Sequence, residues 1–441
     1  MSVAIIGSGF AGMAAAHGLG KLRRPAIIYE SAPHWGGHTH TDRHQGFSFD
    51  EGPHVSFTKD ERVMDVFAQG AVHVEEVGAR ITNWFQGSWV THPAQVHLHG
   101  LDPGLVTECI ADFVEATNNP PTVKTYADWL VAMYGRTFAE NFPFRYTRKY
   151  WTVEPADLGV DWIGKRMYPP KLTEMLRGAL TPDNRGDFHY LKTYRYPSSG
   201  GYQSFMNELA RGVNIRVGSG VVSVNPANKT LRLTDDSQVE YDQLISTMPL
   251  DQLVARLDGV NVPDDVQAAA NELLCTSVVL VEIGVERADL FDHEWFYVYD
   301  EDISPARVHF PHMLAPGNAP LGRGSIQAEV YFSRRKSLGT VAAELPRRVV
   351  EEFIAMGILK SHEEVIFARH RTIDYANVVF DHRREPALAK IKPFIADLGI
   401  VLAGRFGEWD YHWTDDATNA GWRAAASLGD TDVHRMLSGG V

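Results

Sequence analysis

The chain has 441 residues and a mass of 49.2 kDa, is 44% apolar and 22% charged, and so exceeds one ordinary core and is not a largely disordered polymer. Acids outnumber bases by 55 to 42, a formal net charge of −13, which argues against nonspecific binding to nucleic acid or an anionic membrane and leaves an anionic small ligand dependent on a local arginine cluster. Two cysteines, Cys109 and Cys275, make no disulfide framework. No apolar run reaches the ~18 residues of a membrane span, and a glycine motif starting at Gly7 leaves no room for a secretory leader, so a cytoplasmic location is expected.

Val3–Ile6 is a short continuous apolar run, as expected of a parallel strand buried on both faces. Gly7, Gly9 and Gly12 follow in the G-x-G-x-x-G pattern, then a helix over Met13–Leu19 and a second strand, Ala26–Tyr29, ending in Glu30. Gly7 permits the tight turn, Gly9 lets backbone approach a pyrophosphate, and Gly12 lets helix and strand pack closely. The helix start offers free N–H groups and a positive dipole end to the diphosphate. Glu30 is placed to accept hydrogen bonds from the adenosine ribose, so the segment is expected to bind a dinucleotide. His38, His40, His44 and His54 match no zinc spacing and have no cysteine nearby, and no metal is expected.

Further along, a helix is expected around Glu61–Gln69 and strands at Ile81–Phe85 and Ser88–Thr91. Residues 104–180 read mainly as helices, with breaks at Asn118–Pro121, Pro143 and Pro169-Pro170. A helix over Ser204–Arg211 precedes strands at Asn214–Val217, Val221–Val224, Thr230–Leu233 and Tyr241–Met248. Ser277–Val285 and Ile326–Phe332 are expected as strands of a second sheet, Val341–Met356 as helix, and Gly399–Ala403 as a buried strand before Gly404-Arg405. With no repeat or flexible linker, the domains are expected to be interleaved: 1–80 the dinucleotide part, 81–190 mainly helical, 191–250 returning to the first part, 251–395 a sheet-containing substrate part, and 396–441 closing over the cofactor. The expected class is α/β, a Rossmann-like domain interleaved with a helical domain and a mixed or antiparallel sheet. No heptad or extra helix announces an oligomeric state.

The pair Gly36-Gly37, shortly after Glu30, resembles the second glycine motif of flavoproteins in the amine oxidase and protoporphyrinogen oxidase superfamily. Most of the chain resembles, within that superfamily, the eukaryotic-type UDP-galactopyranose mutases. The resemblance rests on Phe49-Asp50-Glu51-Gly52-Pro53-His54-Val55, the 87–93 segment, Tyr150-Trp151-Thr152-Val153, the 162–166 segment, Arg195-Tyr196-Pro197 before Gly200-Gly201, the 244–248 segment, and Gly404-Arg405-Phe406-Gly407-Glu408-Trp409-Asp410-Tyr411. It implies FAD, active in its reduced form, with NADPH or NADH as reductant. It also implies conversion of a nucleotide-linked hexopyranose to its furanose: flavin N5 attacks the anomeric carbon, the nucleoside diphosphate leaves, and a flavin–sugar iminium permits ring opening.

The resemblance places His54 against the flavin near N5 and Arg166 and Arg307 as a diphosphate clamp, a task suited to planar, permanently charged guanidiniums. Tyr375 and Tyr411 match diphosphate-binding tyrosines, Trp151 a tryptophan beside the substrate, and Gln95 a residue beside the base. His38 lies in the second glycine loop, Val222 where a strand meets the adenine, Arg405 beside the FAD pyrophosphate, and Asp415 near the flavin. The chain departs from the family where His92-Pro93-Ala94-Gln95 stands for Tyr-Pro-Phe-Gln, at Thr147 for an asparagine, at Asp415-Asp416, and at His38-Thr39-His40. The base or sugar is therefore expected to differ from UDP-galactose. The alternative is an FAD-dependent oxidoreductase of the same superfamily acting on an amine, alcohol or other small substrate.

Overall fold

The structure is a computed structural model that describes residues 2–164, 167–184, 186, 188 and 193–428. Its first layer is a five-stranded parallel sheet in the order Ile400–Leu402, Gln243–Ser246, Val3–Ile6, Ala26–Tyr29, Asn214–Arg216. Both ends and the middle of the chain thus meet in one Rossmann-like sheet. Helix Phe10–Lys21 lies against helix Thr414–Ser427 with small residues at the contact: a Cβ on Gly421 would come within 2.1 Å of the Ala11 carbonyl oxygen, and one on Gly18 within 3.0 Å of the Ala425 Cβ. Glycine and alanine there let the carboxy-terminal helix seat directly on the amino-terminal one.

The second layer is a seven-stranded sheet in the order Val365–Val378, Cys275–Val285, Gly324–Phe332, Arg307–His309, Trp295–Val298, Ile81–Phe85, Ser88–Thr91. All its neighbours are antiparallel except Trp295–Val298 with Ile81–Phe85. Strand alternation gives the sheet two unlike faces. Val279, Val281, Ile283, Ile326, Ala328, Val330, Val308 and Phe296 pack with Leu345, Val349 and Phe353 of helix Leu345–Ala355. The opposite face carries Glu282, Gln327, Glu329, Arg307, His309, Arg369 and Arg371 and positions the site described below.

Helices Pro103–Asn118, Tyr126–Tyr134, Arg136–Asn141, Pro143–Tyr150 and Leu172–Leu180 form the helical part, around Phe113, Leu130, Tyr134, Phe138 and Phe142. Asp102 and Thr125 cap two of them by accepting bonds from backbone N–H groups. The overall class is α/β, as expected. Ser204–Arg211 differs in detail: a 3-10 turn, Tyr202–Met206, leads into a single α turn, Asn207–Ala210, because Phe205 and Met206 point into the core beside Phe67. The edge strand Val365–Val378 and helix Arg384–Asp397, which holds Pro393 internally, were not expected. No helix among the described residues is long and apolar enough to cross a membrane.

Candidate cofactor and substrate site

The glycine loops meet backbone to backbone. Gly7 has φ +93°, and a Cβ on it would lie 2.3 Å from the Thr247 hydroxyl; one on Gly12 would lie 2.0 Å from the Gly7 carbonyl oxygen. Gly36 and Gly37 have φ +122° and +53°, and a Cβ on Gly37 would come within 2.9 Å of the Gly9 Cα. Only glycine fits at these four positions of the cradle, which lies at the start of helix Phe10–Lys21, whereas a Cβ on Gly9 would meet nothing nearer than the Gly37 Cα at 3.9 Å. Buried Glu30 accepts hydrogen bonds from the Ser8 N–H and hydroxyl at 2.8 and 2.6 Å, and from the Ala32 N–H at 2.8 Å. The carboxylate is therefore locked at the end of its strand beside the loop. The 218–220 segment crosses there, with the Ser219 N–H donating to the Glu30 carbonyl at 2.7 Å, and half-buried Val222 follows on strand Val221–Asn225. Gly404, φ +81°, closes the cradle from the carboxy-terminal side, where a Cβ would lie 2.7 Å from the Ala11 Cβ. This all-backbone floor fits the diphosphate of a dinucleotide.

The loop carrying His54 is pinned to the polar sheet face. Gln327 donates to the Asp50 carbonyl at 2.8 Å and accepts from the Gly52 N–H at 3.1 Å. The His54 Nδ1 lies 3.1 Å from the Gly52 carbonyl; since a carbonyl only accepts, Nδ1 carries the hydrogen and Nε2 is the free acceptor. Burial, followed by the charges of Arg405 and Arg307 against the opposing Gly52 bond, brings His54 down to about 4. The imidazole is thus neutral at physiological pH. His38 Nδ1 lies 3.2 Å from Glu51, and its ring lies 5.5 Å from that of Phe406.

Arg307 and Arg405 flank an aromatic wall. Arg307 lies 5.9 Å from the Tyr150 ring centroid and Arg405 5.5 Å from that of Tyr411. Between them, Trp151 packs on Tyr150 at 5.0 Å and on Tyr411 at 6.3 Å. Glu329 takes Nε and Nη2 of Arg307, whereas Arg405 donates Nε and Nη2 to the His412 carbonyl and has no carboxylate partner among the described residues. The Tyr375 hydroxyl donates to Asp251 at 2.8 Å, with its ring between Phe406 and Trp409. Asp415 lies in the first turn of helix Thr414–Ser427, beside Thr414, whose hydroxyl meets that of Tyr202 at 2.7 Å.

The structure thus brings His54, His38, Arg307, Arg405, Trp151 and Tyr411 together, while Tyr375 is turned towards Asp251. Gln95 sits apart, in the short turn Ala94–Val96, donating to the Tyr168 carbonyl at 3.2 Å. A bridge of rings, His92–Tyr297 at 5.1 Å and Tyr297–Tyr146 at 5.5 Å, connects its segment to the wall. Thr147 is turned back into its helix, donating to the Pro143 carbonyl at 2.7 Å. Arg166 lies outside the described residues.

Sequence reasoning missed several residues that build the site. Gln203 holds the second glycine loop, donating to the Trp35 carbonyl at 2.9 Å and accepting from the Thr41 N–H at 3.1 Å. Asp50 accepts from the Thr41 and Tyr196 hydroxyls at 2.6 and 2.5 Å and from the Tyr202 N–H at 3.1 Å; burial, only partly offset by these bonds, pushes it up to about 6. Glu282, wholly buried, bridges Arg369 and Arg371 at 2.6 and 3.0 Å, and Arg371 reaches Glu51. An acid within the apolar run Val278–Val285 was the available signal for Glu282.

Two family profiles match the chain: NAD(P)-binding Rossmann-like domains over residues 5–69, and flavin-containing amine oxidoreductases over residues 162–428. Among solved structures, a reduced UDP-galactopyranose mutase superposes with a TM-score of 0.91 at 23% identity, covering 100% of this chain and 99% of that one. A protein assigned as a protoporphyrinogen oxidase from Exiguobacterium sp. 255-15 gives 0.76 at 14% identity, covering 97% and 98%. Putrescine oxidase bound to putrescine gives 0.65 at 16% identity, covering 97% and 99%. At these identities the likeness is one of fold.

Proposed function

The chain belongs to the flavin-containing amine oxidoreductases, and we propose that within them it is an FAD-dependent pyranose–furanose mutase of a nucleoside-diphosphate sugar, with a base or sugar other than those of UDP-galactose. The observation that carries this reading is the pair of guanidiniums flanking the aromatic wall, Arg307 beside Tyr150 and Arg405 beside Tyr411, with Arg405 hydrogen-bonded to the His412 carbonyl and to no carboxylate among the described residues. A guanidinium left uncompensated repels a protonated amine and attracts a diphosphate.

Gly7, Gly9, Gly12, Gly36, Gly37 and Gly404 would hold FAD, with Glu30 on the ribose, Arg405 by the pyrophosphate, and His38, Val222 and Asp415 along its length. The reduced flavin supplies the nucleophile for the anomeric carbon, and NADPH or NADH is the proposed reductant. Arg307, with Arg166, binds the substrate diphosphate; Tyr411 and Tyr375 donate hydroxyls to it once Tyr375 leaves Asp251. Trp151 excludes water from the sugar side, Gln95 meets the base, and the His54 ring lies against the flavin.

A second reading, an FAD oxidoreductase of an amine, alcohol or other small substrate, is favoured by the engagement of Arg307 with Glu329 and of Tyr375 with Asp251. Calorimetric titration of the FAD-loaded protein with UDP, other nucleoside diphosphates and putrescine separates the two. The mutase reading expects a nucleoside diphosphate to bind, and Arg307→Ala to weaken it at least tenfold. Binding of the amine alone, or nucleotide affinity unchanged in Arg307→Ala, would sink it.

A further inference from the structure

His309 lies two residues beyond Arg307 on strand Arg307–His309, hence on the same face of the seven-stranded sheet. It is 1% exposed, yet its Nδ1 has no hydrogen-bond partner among the described residues. His17, His34, His40 and His412 also have an unpartnered ring nitrogen, but all four are less deeply buried than His309. His312, three residues further on, shows a structural imidazole in the same region: Nδ1 accepts from the Ser325 N–H at 3.0 Å and Nε2 donates to the Ala288 carbonyl at 3.0 Å. Leaving a ring nitrogen that deep without a partner is unfavourable, and such groups persist where another state of the molecule uses them.

The position of His309 indicates which state. In register it lies opposite Gln327, whose amide grips the Asp50 carbonyl and the Gly52 N–H at the base of the His54 loop. Burial, then the charge of Arg307, hold the ring well below its usual protonation range, so it is a neutral hydrogen-bonding group.

We infer that His309 is a positioning residue of the flavin site, whose free Nδ1 donates to the bare Nε2 of His54, directly or through one ordered water, when FAD is bound. This rests on the FAD reading and is independent of whether the substrate is a nucleotide sugar. Through His54 it would set the orientation of the ring that faces the cofactor.

The test compares FAD-loaded His309→Leu, His309→Asn and His309→Gln, because Asn places its amide near the Nδ1 position, Gln near Nε2, and Leu supplies neither. The readouts are FAD affinity, the visible flavin spectrum, the equilibrium with a reference redox dye, and the melting temperature of the FAD-free protein. The expected result is a shift of at least tenfold in the dye equilibrium for Leu and Gln, about 30 mV for a two-electron couple. Asn should lie within twofold of the parent, and FAD-free His309→Leu should melt no lower than the parent. Adding His309→Leu to His54→Asn should give no further shift. Additive shifts, a parental spectrum and dye equilibrium in His309→Leu, or an Asn variant as displaced as Leu would overturn the assignment. A parent chain that does not retain FAD would overturn it together with the cofactor reading.

Discussion

Glu329 grips Arg307 along one edge of the guanidinium, with Oε2 2.5 Å from Nε and Oε1 2.9 Å from Nη2. The carboxylate is 3% exposed, so it neutralises the arginine in a low-dielectric setting, where a pair is costly to break. Glu329→Gln keeps an acceptor at the same place and removes the charge. The expected outcome is a stability loss of about 3 kcal/mol by urea titration, together with severalfold tighter binding, at low salt, of the nucleoside diphosphate that the parent binds, because Arg307 is then uncompensated. Unchanged affinity for that nucleotide would place Arg307 away from the anion.

Gly12 is the tightest point of the cofactor cradle, since a Cβ there would stand 2.0 Å from the Gly7 carbonyl oxygen. That oxygen is backbone held by the first sheet and cannot swing aside. Gly12→Ala is expected to destabilise the fold by about 3 kcal/mol and to yield protein lacking flavin absorbance. Gly20→Ala, where nothing lies within 4 Å, is the control and should retain FAD.

Asp50 gives a pH signature of known sign. Its folded value, about 6, lies above the ordinary aspartate value of 3.8, so the folded chain binds this proton more tightly than the unfolded one. Its contribution to stability is fully present below pH 3.8 and is lost as pH rises through 6. Asp50→Asn has no such charge, so its stability relative to the parent should rise by about 3 kcal/mol between pH 4 and pH 7, then level off. Urea titrations across that range check this; a flat difference contradicts it.

The first strand, helix and second strand were legible, with Glu30 and both glycine motifs, because their signals are local: a turn that needs φ > 0 and an apolar run between turns. The chain order and spacing of the small motifs also made the flavoprotein resemblance visible. Strand Val365–Val378 was not legible, because Arg369, His370, Arg371 and Asp374 break any alternation. These charges are tolerated since Glu282 lies across the register from Arg369, a pairing made only when distant segments meet in one sheet. Glu329 and His309 escaped for the same reason. Their roles depend on Arg307 and on the His54 loop, and no short spacing in the chain links them.

The most direct test of the proposed activity is chromatography of nucleotide-sugar pyranoses incubated with the FAD-loaded, dithionite-reduced protein. The account expects a furanose product from at least one nucleoside-diphosphate hexose, none with oxidised protein, and a loss of at least tenfold in kcat/KM in Arg307→Ala. No furanose from any of them, with amine-dependent reduction of the flavin instead, would contradict the mutase reading and establish the oxidoreductase one.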